Sequence, residues 1–206
     1  MNLEALLGLG SKPITGVWYR AILPKFLTTS LQYSQTREVP SRFNAGRFSQ
    51  NPFATLYLAE DPIGALFEVE ALFGSSLNPS KFISNPAASY ITLNVQVELR
   101  NVLDLTNLDN IRALATSAQE LTGDWRGYYL PTELGGGRPG PAGIAPTQEL
   151  GAAIYASGQF AGFLTRSAKI HDKLVLGVLP ERIVQSDFAR YHYTDAAGQE
   201  QIFKIP

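Results

Sequence analysis

A chain of 206 residues with 45% apolar content can build a core of its own, and at 17% charged residues it falls outside the composition of disordered chains. Lys plus Arg (17) nearly balances Asp plus Glu (18), and a net charge of −1 argues against a duplex-binding protein, whose affinity comes from neutralising phosphates. The absence of cysteine excludes disulfides, thiolate metal sites and a cysteine nucleophile, while two histidines, His171 and His192, are too few for most zinc sites, so no metal is expected. Neither histidine accompanies a G-x-S-x-G turn. The first ten residues lack the basic flank of a signal peptide, and no stretch approaches the roughly 18 apolar residues of a membrane span. A soluble, cytoplasmic chain without membrane contact is the expectation.

In chain order, residues 14–23 (ITGVWYRAIL) are rich in β-branched and aromatic types and predict a strand with Arg20 embedded in it. Residues 24–55 carry Pro24, Pro40 and Pro52 and a Gly46-Arg47 step, the marks of a long loop with one short helix at most. A short strand over 55–59 (TLYLA) then runs into the best-punctuated element of the sequence. Asp61 can cap the first orphan amides, Pro62 suits the first helical position, and Gly74 after Phe73 reads as a left-handed stop. The helix body, Ile63 to Phe73, is apolar almost all round except for Gly64, Glu68 and Glu70. Its glutamates are therefore candidates for paired or functional groups.

Residues 89–105 alternate as one long strand or two short ones, and 107–121 have helical spacing. The segment Leu134 to Gly143 is a Gly/Pro-rich loop inside a loop-rich insertion around 124–146. It has no P-loop spacing, and Pro139 and Pro141 remove two of the amides a phosphate cradle would use. A helix from Thr147 to Gly158 follows, then strands over 162–166, 173–179, 190–194 and the final QIFKI. No repeat and no second hydrophobic core stands out. The pattern predicts one domain over residues 1–206 of α+β class, with mixed, mainly antiparallel sheets and flanking helices.

Four positions carry chemical interest. Arg20 sits mid-strand, where a guanidinium is costly without a partner. Arg47 follows a glycine that leaves room for an anion, Tyr57 lies on the short strand, and Glu68 lies on the apolar helix. Two arginines, an aromatic face and a carboxylate are what a nicotinamide dinucleotide needs: bidentate cations for pyrophosphate, a ring against a base, and a negative charge beside a developing ribose cation. Each has a plainer reading as well: an internal ion pair for Arg20, a solvated loop cation for Arg47, core packing for Tyr57 and a solvent-facing side chain for Glu68. Spacing alone makes Glu70 more anomalous than Glu68.

The stretch Ser41-Arg-Phe-Asn-Ala-Gly-Arg-Phe48 followed by Leu56-Tyr-Leu-Ala-Glu-Asp-Pro-Ile-Gly-Ala-Leu-Phe-Glu-Val69 resembles the RES domain family, named for a characteristic Arg, Glu and Ser. Trp18-Tyr-Arg20, Val102-Leu-Asp-Leu105 and Gly162-Phe-Leu-Thr-Arg-Ser-Ala-Lys169 extend the resemblance over roughly residues 14–183. By this match Arg47, Glu68 and Ser167 take the catalytic positions, and Arg20, Arg47, Tyr57 and Ser167 the cofactor-binding ones. Ser157 is the competitor for the serine, and Arg166 and Lys169 depart from the family's proline and arginine. The resemblance implies an ADP-ribosyltransferase-like fold and a toxin that breaks the nicotinamide–ribose bond of NAD by phosphorolysis, with inorganic phosphate as co-substrate, or by hydrolysis. Some members instead transfer ADP-ribose to a protein, and a catalytically silent partner-binding module is a third reading. The implied partner is an Xre-like antitoxin that carries the DNA-binding function, so no direct nucleic-acid contact is expected; whether the chain forms a homo-oligomer is left open.

Overall fold

The two longest alternating stretches form the backbone of the sheet. Ser11–Ile22 (β1) and Ile91–Asp104 (β5) pair antiparallel along nearly their whole length, with a register slip between Lys12 and Ile14 at Pro13, which has no amide for the ladder. On β5, Leu93, Val95, Val97 and Leu99 are buried while Asn94, Gln96, Glu98 and Arg100 are exposed, the period of two expected of a strand with one wet face. The computed structural model describes residues 1–73, 83–86, 89–128, 143–170, 172–184 and 186–205. Gly74, His171 and most of the Gly/Pro-rich loop lie outside the described residues.

Three short strands complete a ring with this pair. Leu56–Ala59 (β2) pairs with Leu174–Val178 (β7), β7 with Gly162–Arg166 (β6), and β6 runs parallel to the end of β5. The ring closes where β1 meets β2 through Tyr19 and Ala59. Phe188–Thr194 (β8) continues the sheet from β5 and carries Glu200–Ile205 (β9) at its edge. All of these pairings but β5–β6 are antiparallel, as the sequence predicts. Two additional short strands, Leu72–Phe73 (β3) and Ile83–Ser84 (β4), pair with each other.

Each face of the sheet carries a core over part of its area. Trp18, Leu58, Val95, Leu164, Leu176 and Tyr191 share one core, while Phe43, Phe53, Leu103, Leu150, Ile154 and Phe163 share the other. A second core thus exists where the sequence shows none, because its members come singly from separate segments and β6 is buried on both sides. The helix Pro146–Ser157 covers the second face and ends at Gly158 in the left-handed conformation (φ 67°).

Two helices depart from expectation. Pro62–Glu68 (α1) starts as predicted, with Asp61 accepting from the Gly64 amide at 2.8 Å, but stops five residues before Phe73. Glu70 takes a left-handed φ of 58°, and Leu72–Phe73 turn into β3 instead. The stretch 107–121 is two helices, Leu108–Ala113 (α2) and Ala118–Thr122 (α3), separated by Ala115 at φ 49°; Asn107 and Ser117 cap them. The helix over residues 146–157 is α4. Among the described residues no helix is long and apolar enough to cross a membrane.

Candidate active site

β1 and β2 meet at one residue pair, and the space beside that junction is a pocket of about 750 Å³, within the range of small-molecule sites. Its walls come from β1, the loop at 40–42, β2, α1, the segment after α3 and the turn after β6. Four cationic side chains (Arg20, Arg42, Arg126 and Lys169) line it against two carboxylates, Glu68 and Asp124. In a chain of net charge −1, this local excess of positive charge marks a place for an anion.

Arg20 reaches from β1 to donate to the Tyr57 carbonyl at 3.2 Å, substituting for strand pairing that β1 and β2 make at only one position. Its Nε has no hydrogen-bond partner, and burial pushes the guanidinium pKa down to about 10. The internal ion pair expected as its plainer reading is absent among the described residues.

The arginine beside it is Arg42. The residue is 7% exposed, and its guanidinium donates to the Arg166 carbonyl at 3.2 Å. Burial lowers its pKa, and the opposing charge of Glu68 works the other way. Three neighbours fix its backbone. Phe43 is fully buried against Phe163 with ring centroids 4.6 Å apart. Asn44 donates to the carbonyls of Thr36 and Phe53 at 3.1 and 2.7 Å. Gln148 on α4 donates to the Ser41 carbonyl at 2.7 Å. α4 comes this close because residue 151 is glycine: a Cβ there would stand 1.8 Å from the Phe43 carbonyl oxygen.

Arg47, expected at the site, is not among the lining residues. It is exposed and lies over the Phe48 ring at 5.2 Å. Nor does Gly46 make room for a ligand. It sits at φ 57°, where a Cβ would meet the backbone of residues 38–40 at 2.6–2.8 Å, so the glycine serves the turn itself. Two Arg-Phe steps five residues apart look alike in sequence. The signal that separates them is the company of the aromatic: Phe43 enters the core, and the arginine before it is carried to the pocket.

Tyr57 lines the pocket, and its ring meets Phe163 edge-on at 6.3 Å. Its hydroxyl accepts from the Phe43 amide at 3.2 Å and shares a 3.0 Å hydrogen bond with Ser41. Burial raises its pKa, so it stays a neutral phenol that ties down the loop bearing Arg42.

Glu68 ends α1, and Ser167 begins the turn after β6. The Ser167 hydroxyl donates to Glu68 Oε1 at 2.6 Å and accepts the amides of Lys169 and Ile170 at 3.0 and 3.1 Å. Ser157, the competing serine, bonds its own helix at the Ile154 carbonyl, whereas Ser167 meets the pocket through Glu68 and beside the lining residues Ala168 and Lys169. Glu70 points its carboxylate to Lys169 Nζ at 2.9 Å and Arg126 at 3.5 Å, which together hold its pKa below the usual range. The structure therefore brings Arg20, Tyr57, Glu68 and Ser167 together and adds Arg42, with Arg47 left outside.

The architecture and the pocket define a class: a mixed α+β protein with a cationic pocket and one hydroxyl-anchored carboxylate, a charge pattern that suits an anionic ligand. Residues 17–193 match the RES domain, and the chain belongs to that family. Its fold is similar to a solved structure described as the M. tuberculosis MbcT-MbcA toxin-antitoxin complex, with a TM-score of 0.59 at 19% identity over 98% of this chain and 90% of that one. None of the curated proteins compared matches the chain.

Proposed function

We propose that this chain is a RES-type toxin that cleaves the nicotinamide–ribose bond of NAD and is restrained by an Xre-like antitoxin. The observation that carries the reading is the pocket's charge pattern: Arg20 and Arg42, without ion pairs among the described residues, line it together with Glu68, whose carboxylate is held by Ser167. An ADP-ribosyltransferase-like scaffold belongs to the same reading and enters through the family. The antitoxin enters through the family and through the solved relative, which is itself a toxin–antitoxin complex.

In this reading Arg20 and Arg42 neutralise the pyrophosphate through charge-assisted hydrogen bonds. The ring of Tyr57 packs on the nicotinamide side while its hydroxyl holds the loop. The bond from the ribose C1′ to the pyridinium nitrogen breaks, and its electron pair stays on nitrogen. Nicotinamide leaves as a neutral molecule, so no general acid is required. Glu68 faces the positive charge that grows on C1′ and the ring oxygen, and Ser167 fixes the carboxylate without neutralising it. Water then bonds to C1′ through its oxygen and loses a proton to solvent, or an ionised oxygen of inorganic phosphate bonds there with no proton to lose.

Controlled expression in a bacterial host tests the biological half of the proposal. Cellular NAD should fall and growth should stop with the wild-type chain and not with Glu68→Gln at equal protein level. Growth arrest with NAD intact and label from NAD on host proteins would replace this reading with protein ADP-ribosylation.

A further inference from the structure

Helix α1 ends in a left-handed cap that normally belongs to glycine. The Glu70 amide donates to the Phe67 carbonyl at 3.0 Å and the Ala71 amide to the Leu66 carbonyl at 2.9 Å, the paired bonds of a Schellman motif. Glu70 holds the left-handed position at φ 58°, where a side chain is disfavoured. Ala115 ends α2 in the same way without touching a cation, so the backbone conformation alone says nothing about function. What distinguishes Glu70 is the place its side chain reaches.

The four pocket cations fall into two tiers. Arg20 and Arg42 donate to backbone carbonyls and make no ion pair among the described residues. Arg126 and Lys169 come from two different walls of the pocket and converge on one carboxylate, that of Glu70. These partners are 39–61% exposed, so the pairs are screened and exchangeable. Both cations share the one Glu70 carboxylate, while the nearby Asp124 is engaged by the Arg126 backbone amide at 2.9 Å and pairs with neither side chain among the described residues. An anion arriving between Arg126 and Lys169 would trade places with Glu70 at little cost.

We propose that Arg126 and Lys169 form an anion subsite for a phosphate group at the edge of the pocket, and that Glu70 is its resident counter-ion, setting how tightly that group is held. The proposal deepens the reading of the pocket as a nucleotide site and rests on it for the larger ligand. The phosphate arrives either free or attached to the nucleotide's ribose, and both sources present the same chemistry to the two cations.

The test is calorimetric titration of wild type, Glu70→Gln, Glu70→Gly and the double variant Glu70→Gln/Lys169→Met. The ligands are inorganic phosphate, ADP-ribose and 2′-phospho-ADP-ribose. Glu70→Gln should bind inorganic phosphate roughly five-fold more tightly than wild type, the equivalent of about 1 kcal/mol, and the double variant should lose the gain. Glu70→Gly should show the same gain together with a higher thermal midpoint, because it also relieves the left-handed side chain. A gain larger for 2′-phospho-ADP-ribose than for inorganic phosphate places the group on the nucleotide; an equal gain assigns the subsite to free phosphate. Phosphate affinity unchanged in folded Glu70→Gln and Glu70→Gly overturns the proposal. Wild type that fails to bind ADP-ribose while the phosphate gain holds would overturn the nucleotide reading and leave the subsite standing.

Discussion

The hydroxyl of Ser167 donates a 2.6 Å hydrogen bond to Glu68 Oε1 across a sequence separation of 99 residues. With one proton given to the carboxylate and two amides accepted, that hydroxyl is fully used, which fixes the serine rotamer and, through it, the carboxylate. Glu68→Gln keeps the shape and removes the charge. Turnover of NAD should fall about 100-fold or more while ADP-ribose affinity changes little, since the carboxylate acts on charge present only in the transition state. Steady-state kinetics together with ligand titration decides this, and an equal loss of both would make Glu68 a structural residue. Ser167→Ala should lower kcat by about ten-fold with a smaller change in KM.

Arg42 and Arg47 make a matched pair for mutation. Arg42→Ala removes a buried pocket cation and should weaken ADP-ribose binding by roughly 10- to 100-fold, the range of a charge-assisted hydrogen bond. Arg47→Ala removes an exposed cation from over Phe48 and should leave binding within about two-fold. The reverse ranking in the same titration would return the site to the arginine that follows Gly46.

Arg20 carries a stability–function trade-off. Its guanidinium is desolvated, its Nε is unpaired and its pKa is lowered to about 10, so at neutral pH the folded state holds a charge it would rather not bury. A base whose folded pKa lies below its unfolded value opposes folding at every pH below the folded value. That penalty shrinks only as the pH rises from about 10 toward the higher unfolded value. Arg20→Met keeps the aliphatic stem and should raise the thermal midpoint of the ligand-free protein by about 2–4 °C while abolishing ADP-ribose binding. A lower midpoint in thermal denaturation would show that the stem alone does not replace the bond to Tyr57.

Asp61 supplies a pH test of the helix that presents Glu68. Burial works to raise its pKa, but the Gly64 amide and Lys173, 2.9 Å away, outweigh it and hold the carboxyl below the ordinary 3.8. A depressed carboxylate pKa stabilises the fold above the unfolded value and loses that contribution as the pH falls through the folded value. Asp61→Ala should therefore cost about 1 kcal/mol at pH 7, and the gap between variant and wild type should narrow at a pH well below the ordinary 3.8. Urea unfolding at both pH values measures it, and a gap independent of pH would contradict the capping role.

Much of the site is legible in the sequence. Asp61-Pro62 predicts the start of α1, and the eleven residues from Tyr57 to Glu68 place both on one pocket because a short strand runs directly into a capped helix. The end of α1 is not legible: Gly74 advertises a stop, yet the chain turns at Glu70, where tertiary contacts override the missing glycine. Arg42 is hidden for a related reason. Its local sequence resembles that of Arg47, and only the long-range contacts of Phe43 with Phe163 and of Ser41 with Gln148 decide which arginine turns inward. The second core is equally invisible, since Phe43, Leu103, Leu150 and Phe163 meet only after the sheet is assembled.

The most direct measurement is NAD consumption by the purified chain, with and without inorganic phosphate, read by the masses of the products. The account predicts loss of NAD with release of nicotinamide, giving phosphorylated ADP-ribose if phosphate is the acceptor and ADP-ribose if water is. NAD left intact under both conditions at high protein concentration would contradict it, and would remove Glu68 and Ser167 from any catalytic role in NAD cleavage.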